Sequence, residues 1–247
     1  CMLQHGTGFE HNLQSLRIVT QLEERYAEFD GLNLTFETLE GILKHCSLAK
    51  AAELGELGLR FINKQQPSLE AQLANIADEL AYNFHDLDDG LRANVLKLDQ
   101  LEEVEIIRVE LARIRTKYPH LTGRRLHKEL VRHLINTTIY ELIDNCRANL
   151  DKYQPESVEE IHLLPAIIQY SPESFARQRE LKKFLHQNMY KHYTVMQLRY
   201  KAEQVVRSLF SAFMSESRLL PDQFQARVEV DGLARVVADY ISGMTDR

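Results

Sequence analysis

"ANIADELAYNFHDLDDGLR", Ala74 to Arg92, holds five acidic side chains, a His and a Tyr, yet keeps a clean apolar face. Wound as a helix at roughly 100° per residue with Asp78 at zero, its apolar residues gather between roughly 160° and 240°. These are Leu73, Ile76, Leu80, Phe84, Leu87 and Leu91. Tyr82, His85, Asp86 and Asp89 fall within about 80° of Asp78 on the same wheel. The segment therefore predicts an amphipathic helix with a stripe of carboxylates and an aromatic hydroxyl on its other face. Two readings of that stripe stand side by side. It is a solvated face, or it is a metal-and-sugar site in which one carboxylate grips a hard cation and another, two turns on, accepts a sugar hydroxyl proton.

Helical periodicity runs through the rest of the chain, and no stretch alternates like a strand. "EHNLQSLRIVTQLEERYAEF" places Leu13, Leu16, Val19, Thr20 and Leu22 or Glu23 at helical spacing, and Asp30-Gly31 breaks it. Thr35 with Glu37 is a helix start running to Lys44, residues 47–66 are less regular, and Pro67-Ser68 opens the long helix with Pro in its first turn. Leu98 to Thr116 is a further helix, stopped by Pro119. Thr122 to Leu150 is long and amphipathic, with Leu126, Leu130, Leu134, Thr137, Leu142 and Ile143 inward. The Pro-bearing "DKYQPESVEEIHLLPAIIQYSPE" reads as an irregular excursion. Helices follow over about Pro172–Tyr190, Thr194–Met214 and Leu233–Ile241. The expected fold is all-α, an array of seven to nine helices.

At 247 residues, 44% of them hydrophobic, the chain can bury a real core. A net charge of −6 and pI near 6.0 disfavour a dedicated nucleic-acid coat. Cys1, Cys46 and Cys146 are widely spaced and odd in number, so neither a disulfide framework nor a zinc site is expected and a reducing cytoplasm fits. No apolar run approaches a membrane span. No Gly-rich phosphate loop or Ser/His/Asp arrangement is present. The chain opens on Cys and stops at "GMTDR" directly after a helical pattern, which suggests a piece of a longer protein.

Four stretches resemble the deoxyguanosine-triphosphate triphosphohydrolases, a branch of the His-Asp (HD) phosphohydrolase superfamily: "GFEHNLQSLRIVTQLE" (Gly8–Glu23), "GLNLTFETLEGILKH" (Gly31–His45), "SLEAQLANIADELAYNFHDLDDGLR" (Ser68–Arg92) and "VADYISGMTDR" (Val237–Arg247). The resemblance implies a multi-helix HD-domain-like array that removes intact triphosphate from a deoxynucleoside triphosphate, with a divalent metal such as Mg²⁺ or Mn²⁺. It implies residues 1–95 as the C-terminal part of the catalytic core, and 96–247 as a helical region packed on it with a share in homo-oligomer contacts. By the same resemblance Asp78 is a metal ligand, Tyr82 packs on the deoxyribose, Asp86 accepts from the 3′-hydroxyl, and His11 in "FEHN" acts near the phosphates.

The family's other metal ligands, a His and an adjacent His-Asp pair, lie upstream of "FEHN". They have no counterpart here, since His5-Gly6, His85-Asp86 and His45 stand in other contexts. The fragment alone is therefore expected to be inactive. Lys44 is a candidate phosphate contact, and His45 a helix-end histidine. "GRRLHKELVRH" carries a basic face of Arg124, Arg125, Lys128 and Arg132. It is a solvated face, or a contact for a nucleotide effector, a subunit or single-stranded nucleic acid. The alternatives to the enzyme are a non-catalytic helical module that senses nucleotides or binds nucleic acid, and an HD phosphohydrolase of another nucleotide.

Overall fold

In chain order the helices are α1 (His11–Arg17), α2 (Phe36–Ile42), α3 (Leu48–Glu53), α4 (Glu56–Ile62), α5 (Leu69–Arg92), α6 (Leu98–Leu101) and α7 (Glu105–Lys117). They continue with α8 (Gly123–Tyr153), α9 (Val158–Leu163), α10 (Pro172–Leu185), α11 (Tyr193–Ser215), α12 (Asp222–Gln225), α13 (Val228–Asp231) and α14 (Leu233–Ser242). Single π-helical turns extend α1 over Ile18–Leu22 and α10 over His186–Tyr190. This computed structural model describes residues 8–44 and 46–245, so Cys1, His5-Gly6 and His45 lie outside the described residues. Among those residues the fold is all-α, and the one β contact is an isolated bridge between Glu24 and Gly31. No helix among them is long and apolar enough to cross a membrane.

The chain folds as two units, Thr35–Val195 and the pair of segments Cys1–Leu34 and Met196–Arg247. In the Thr35–Val195 unit, α5 starts where the Ser68 hydroxyl accepts from the Ala71 amide at 3.3 Å. Pro67 therefore precedes the cap and is not in the first turn. The helix ends where Asn94 turns left-handed (φ 55°) and the Val95 and Leu96 amides donate back to the Gly90 carbonyl. Leu96 then folds onto Gly90, where a Cβ would lie 2.6 Å from the Leu96 side chain and would push it aside.

Leu80, Phe84, Leu87 and Leu91 form the buried face of α5, as its periodicity predicts. They join Ile107, Leu111 and Ile114 of α7, Leu130 and Leu134 of α8, and Leu181 and Leu185 of α10 in one core. Each such side chain contributes about 1.5–3 kcal/mol by leaving water.

Several sequence expectations give way to packing. Leu73 is exposed, because Gln72 takes the inward position at that turn of α5. Thr138, not Thr137, is buried in α8, while Thr137 reaches Glu110 and Ile143 is exposed. The helix expected over Leu98–Thr116 is broken between α6 and α7, where the Val104 amide turns back to the Leu101 carbonyl. Residues 47–66 hold two short helices, and α9 interrupts the Pro-bearing excursion, so the helical segments outnumber the seven to nine expected.

The other unit has its own core of Phe210, Phe213, Leu220, Val236 and Val237. Beside it a polar lock ties α1 to α14. Arg17 Nε donates to Asp239 at 2.9 Å and its Nη2 to Asp231 at 2.8 Å, and Gln14 donates to Asp239 at 2.9 Å.

Candidate functional site

Within the Thr35–Val195 unit a cleft of about 930 Å³ opens along the polar face of α5. Its other walls come from α8, the segment 164–170 and the start of α10. Asp78, Tyr82 and Lys44 all border it. Lys44 follows α2 by two residues and donates to Asp78 Oδ2 at 2.6 Å. Its backbone is held by Arg60, whose Nη2 donates to the Glu40 and Leu43 carbonyls at 3.0 and 2.8 Å. Arg60 is 8% exposed, and burial lowers its affinity for the proton while Glu40, 3.0 Å away, opposes that. A third cation bordering the cleft, Lys182 of α10, pairs with Glu79 at 3.2 Å.

The far wall is fastened to α5 by Gln72. Its Oε1 accepts from the Ile167 and Ile168 amides at 2.9 and 3.1 Å, and its Nε2 donates to the Pro67 carbonyl. Buried, fully paired amides of this kind fix a loop that has no helix of its own. Asn149 adds a bond to the Ile167 carbonyl at 2.9 Å.

One turn beyond Tyr82, Asp86 is not among the residues bordering the cleft. Its carboxylate accepts a short hydrogen bond from the Tyr190 hydroxyl, and the Tyr190 and Tyr82 rings lie 6.3 Å apart. Burial, reinforced by the bonds to Asp86 and Tyr82, pushes the Tyr190 hydroxyl far above the usual phenol range. Tyr190 thus donates to Asp86 and holds its carboxylate beside the Tyr82–Tyr190 ring pair. No spacing in the sequence marks Tyr190 as a site residue, because it sits in the π-turn that follows α10, off the α-helical register.

His11 lies in the other unit, at the first turn of α1, with its side chain 81% exposed and Nδ1 3.2 Å from Glu10. His85 is exposed on α5. On the basic face of α8, Lys128 pairs with Asp88 at 2.7 Å and Arg132 with Glu129 at 2.5 Å. Arg124 borders a smaller hollow of about 410 Å³ with His127, Lys128 and Arg92. No group of three His, Cys, Asp or Glu residues that could hold a metal ion occurs among the described residues. Asp78 offers a single carboxylate, already partnered by an ammonium, so these residues alone do not fit a divalent ion.

Residues 168–247 match the model of the phosphohydrolase-associated domain. The chain is 54% identical over 247 residues to a deoxyguanosinetriphosphate triphosphohydrolase-like protein of Thiobacillus denitrificans, covering all of this chain and 65% of the relative. Proteins of the same description from Ralstonia pickettii and Azoarcus sp. are 51% and 50% identical, again over the whole chain and over 63% and 65% of their own lengths. The chain is thus similar along its whole length to triphosphohydrolase-like proteins, and over residues 168–247 to the phosphohydrolase-associated domain. It spans less than two thirds of the length of these curated relatives.

Proposed function

We propose that this chain forms the substrate side of a deoxynucleoside triphosphate triphosphohydrolase, with the cleft along α5 as its nucleotide site. The observation that supports it is the meeting of Lys44, Asp78 and Tyr82 in that one cleft. In this reading Lys44 turns from Asp78 toward phosphate oxygens, a charge-assisted contact that its flexible stem permits. The Tyr82 ring supports the deoxyribose and leaves no space for a 2′-hydroxyl. Asp86, oriented by Tyr190, accepts the 3′-hydroxyl proton.

A divalent ion, if bound by the full-length protein, would supply an activated water, and Asp78 would be the one carboxylate of this cleft offered toward it. On the face of α8, Arg124 and Arg125 are the proposed contacts for an anionic effector, since Lys128 and Arg132 are engaged by neighbouring carboxylates. Assembly into a homo-oligomer belongs to the same reading.

The test is to incubate the full-length protein with each deoxynucleoside triphosphate and Mg²⁺ or Mn²⁺, and to identify the phosphate product. Inorganic triphosphate with free deoxynucleoside is the expected outcome. Stepwise release of single phosphates, or no turnover of any deoxynucleotide, overturns the reading. Tyr82→Ala should narrow the preference for deoxy over ribo substrates, and an unchanged preference removes the role given to its ring.

A further inference from the structure

Along α5 the nucleotide-facing groups fall in a line. Tyr82 lies about 6 Å beyond Asp78 along the helix axis, and Asp86 about 6 Å beyond Tyr82. A nucleotide laid on that line, phosphates at one end and 3′-hydroxyl at the other, turns its base sideways, off the axis. Asn83 stands to one side of that line. It follows Tyr82, is turned about 100° around the helix from it, and borders the same cleft.

Asn83 is 1% exposed, and neither its amide nitrogen nor its oxygen has a hydrogen-bond partner among the described residues. The Tyr170 hydroxyl, in the opposite wall and 8% exposed, is likewise unpartnered. Burial, together with the charge of Glu79, pushes that hydroxyl well above the usual phenol range, so it remains a donor. The contrast with Gln72 is informative. That amide is just as buried in the same wall, yet it is bonded through both its oxygen and its nitrogen. Buried polar groups left open beside a cleft call for a partner that the chain does not supply.

We propose that Asn83, with the Tyr170 hydroxyl, forms the base subsite of this cleft, the Asn83 carboxamide pairing with a nucleobase edge that presents a donor next to an acceptor. A primary amide offers one of each in a plane, which matches the Watson–Crick edge of a base. This inference deepens the triphosphohydrolase reading and rests on it.

Calorimetric titration of the full-length protein in EDTA, where turnover is prevented, tests it with dATP, dGTP, dCTP and dTTP and with inorganic triphosphate as the base-free probe. Wild-type protein should separate its best base from its worst by about tenfold or more. Asn83→Leu should bring the four within about twofold while leaving inorganic triphosphate binding unchanged. Asn83→Asp, which can only accept, should shift the order toward guanine and thymine, whose edges carry a ring N–H. If both variants keep the wild-type ratios, the subsite is overturned and a trapped water satisfies Asn83, while the triphosphohydrolase reading stands. If wild-type protein binds none of the four, that underlying reading fails and takes the subsite with it. Thermal melts report folding. Should Asn83→Leu not fold, Tyr170→Phe must weaken the best base about fivefold, and no change refutes the proposal.

Discussion

Tyr190→Phe removes one hydroxyl and nothing else, which makes it the sharpest probe of the Asp86 arrangement. In the folded chain that hydroxyl donates to the Asp86 carboxylate. A hydrogen bond to a charged acceptor contributes about 1.5–3 kcal/mol when shielded from water. Both residues are only partly buried, so screening trims the figure to about 1–2 kcal/mol. That corresponds to a roughly five- to thirtyfold loss of affinity for a ligand that depends on Asp86. The assay is a ligand cycle: equilibrium binding of a 2′-deoxynucleoside triphosphate and its 2′,3′-dideoxy counterpart, each to wild type and variant. The deoxy ligand should lose affinity in the variant, whereas the dideoxy ligand, having no 3′-hydroxyl to present, should lose little. Equal losses for both ligands would mean that Tyr190 only supports the fold, and no loss for either would dismiss its role.

Lys44→Ala should leave the melting temperature nearly unchanged, because an ion pair with side chains 34% and 68% exposed contributes at most about 1 kcal/mol. Triphosphate binding should fall at least tenfold, and a variant that melts early but binds normally contradicts that assignment. Leu87→Ala, at a position with no exposed surface, should cost about 2–5 kcal/mol in denaturant titration. For Asp231, burial raises the proton affinity, but the bonds and charges of Arg227 and Arg17 outweigh it and hold its pKa below the usual value. A carboxylate lowered in this way stabilises the fold fully above its unfolded pKa of about 3.9, and the contribution disappears as pH falls through the lower folded value. Arg17→Met should flatten this acid limb. At neutral pH it should also cost about 3 kcal/mol, by leaving Asp239 short of a partner. An acid limb identical to wild type rules out this coupling.

The long helix α5 was legible because its signals agree: a start at Pro67-Ser68, a regular apolar stripe, and a run of acidic residues on the other face. The apolar stripe led to the core, and the polar face led to Asp78 and Tyr82 in one cleft. Periodicity could not supply partners from distant sequence. Lys44 meets Asp78 across 34 positions, and Tyr190 meets Asp86 across 104. Arg60 was hidden in a stretch whose glycines weaken helical periodicity, although its guanidinium fixes the backbone that carries Lys44. Gln72 and Asn83 look alike on a helical wheel, as polar residues near the apolar boundary. Only the packed segment 164–170 separates the paired amide from the open one.

The most direct measurement is a crystal structure of the full-length protein with a deoxynucleoside triphosphate whose α,β-bridge resists hydrolysis. The account predicts the sugar against Tyr82, a phosphate within hydrogen-bonding reach of Lys44 and the 3′-hydroxyl at Asp86. A nucleotide bound elsewhere, with the Lys44–Asp78 pair intact and the cleft along α5 filled only by solvent, would contradict it.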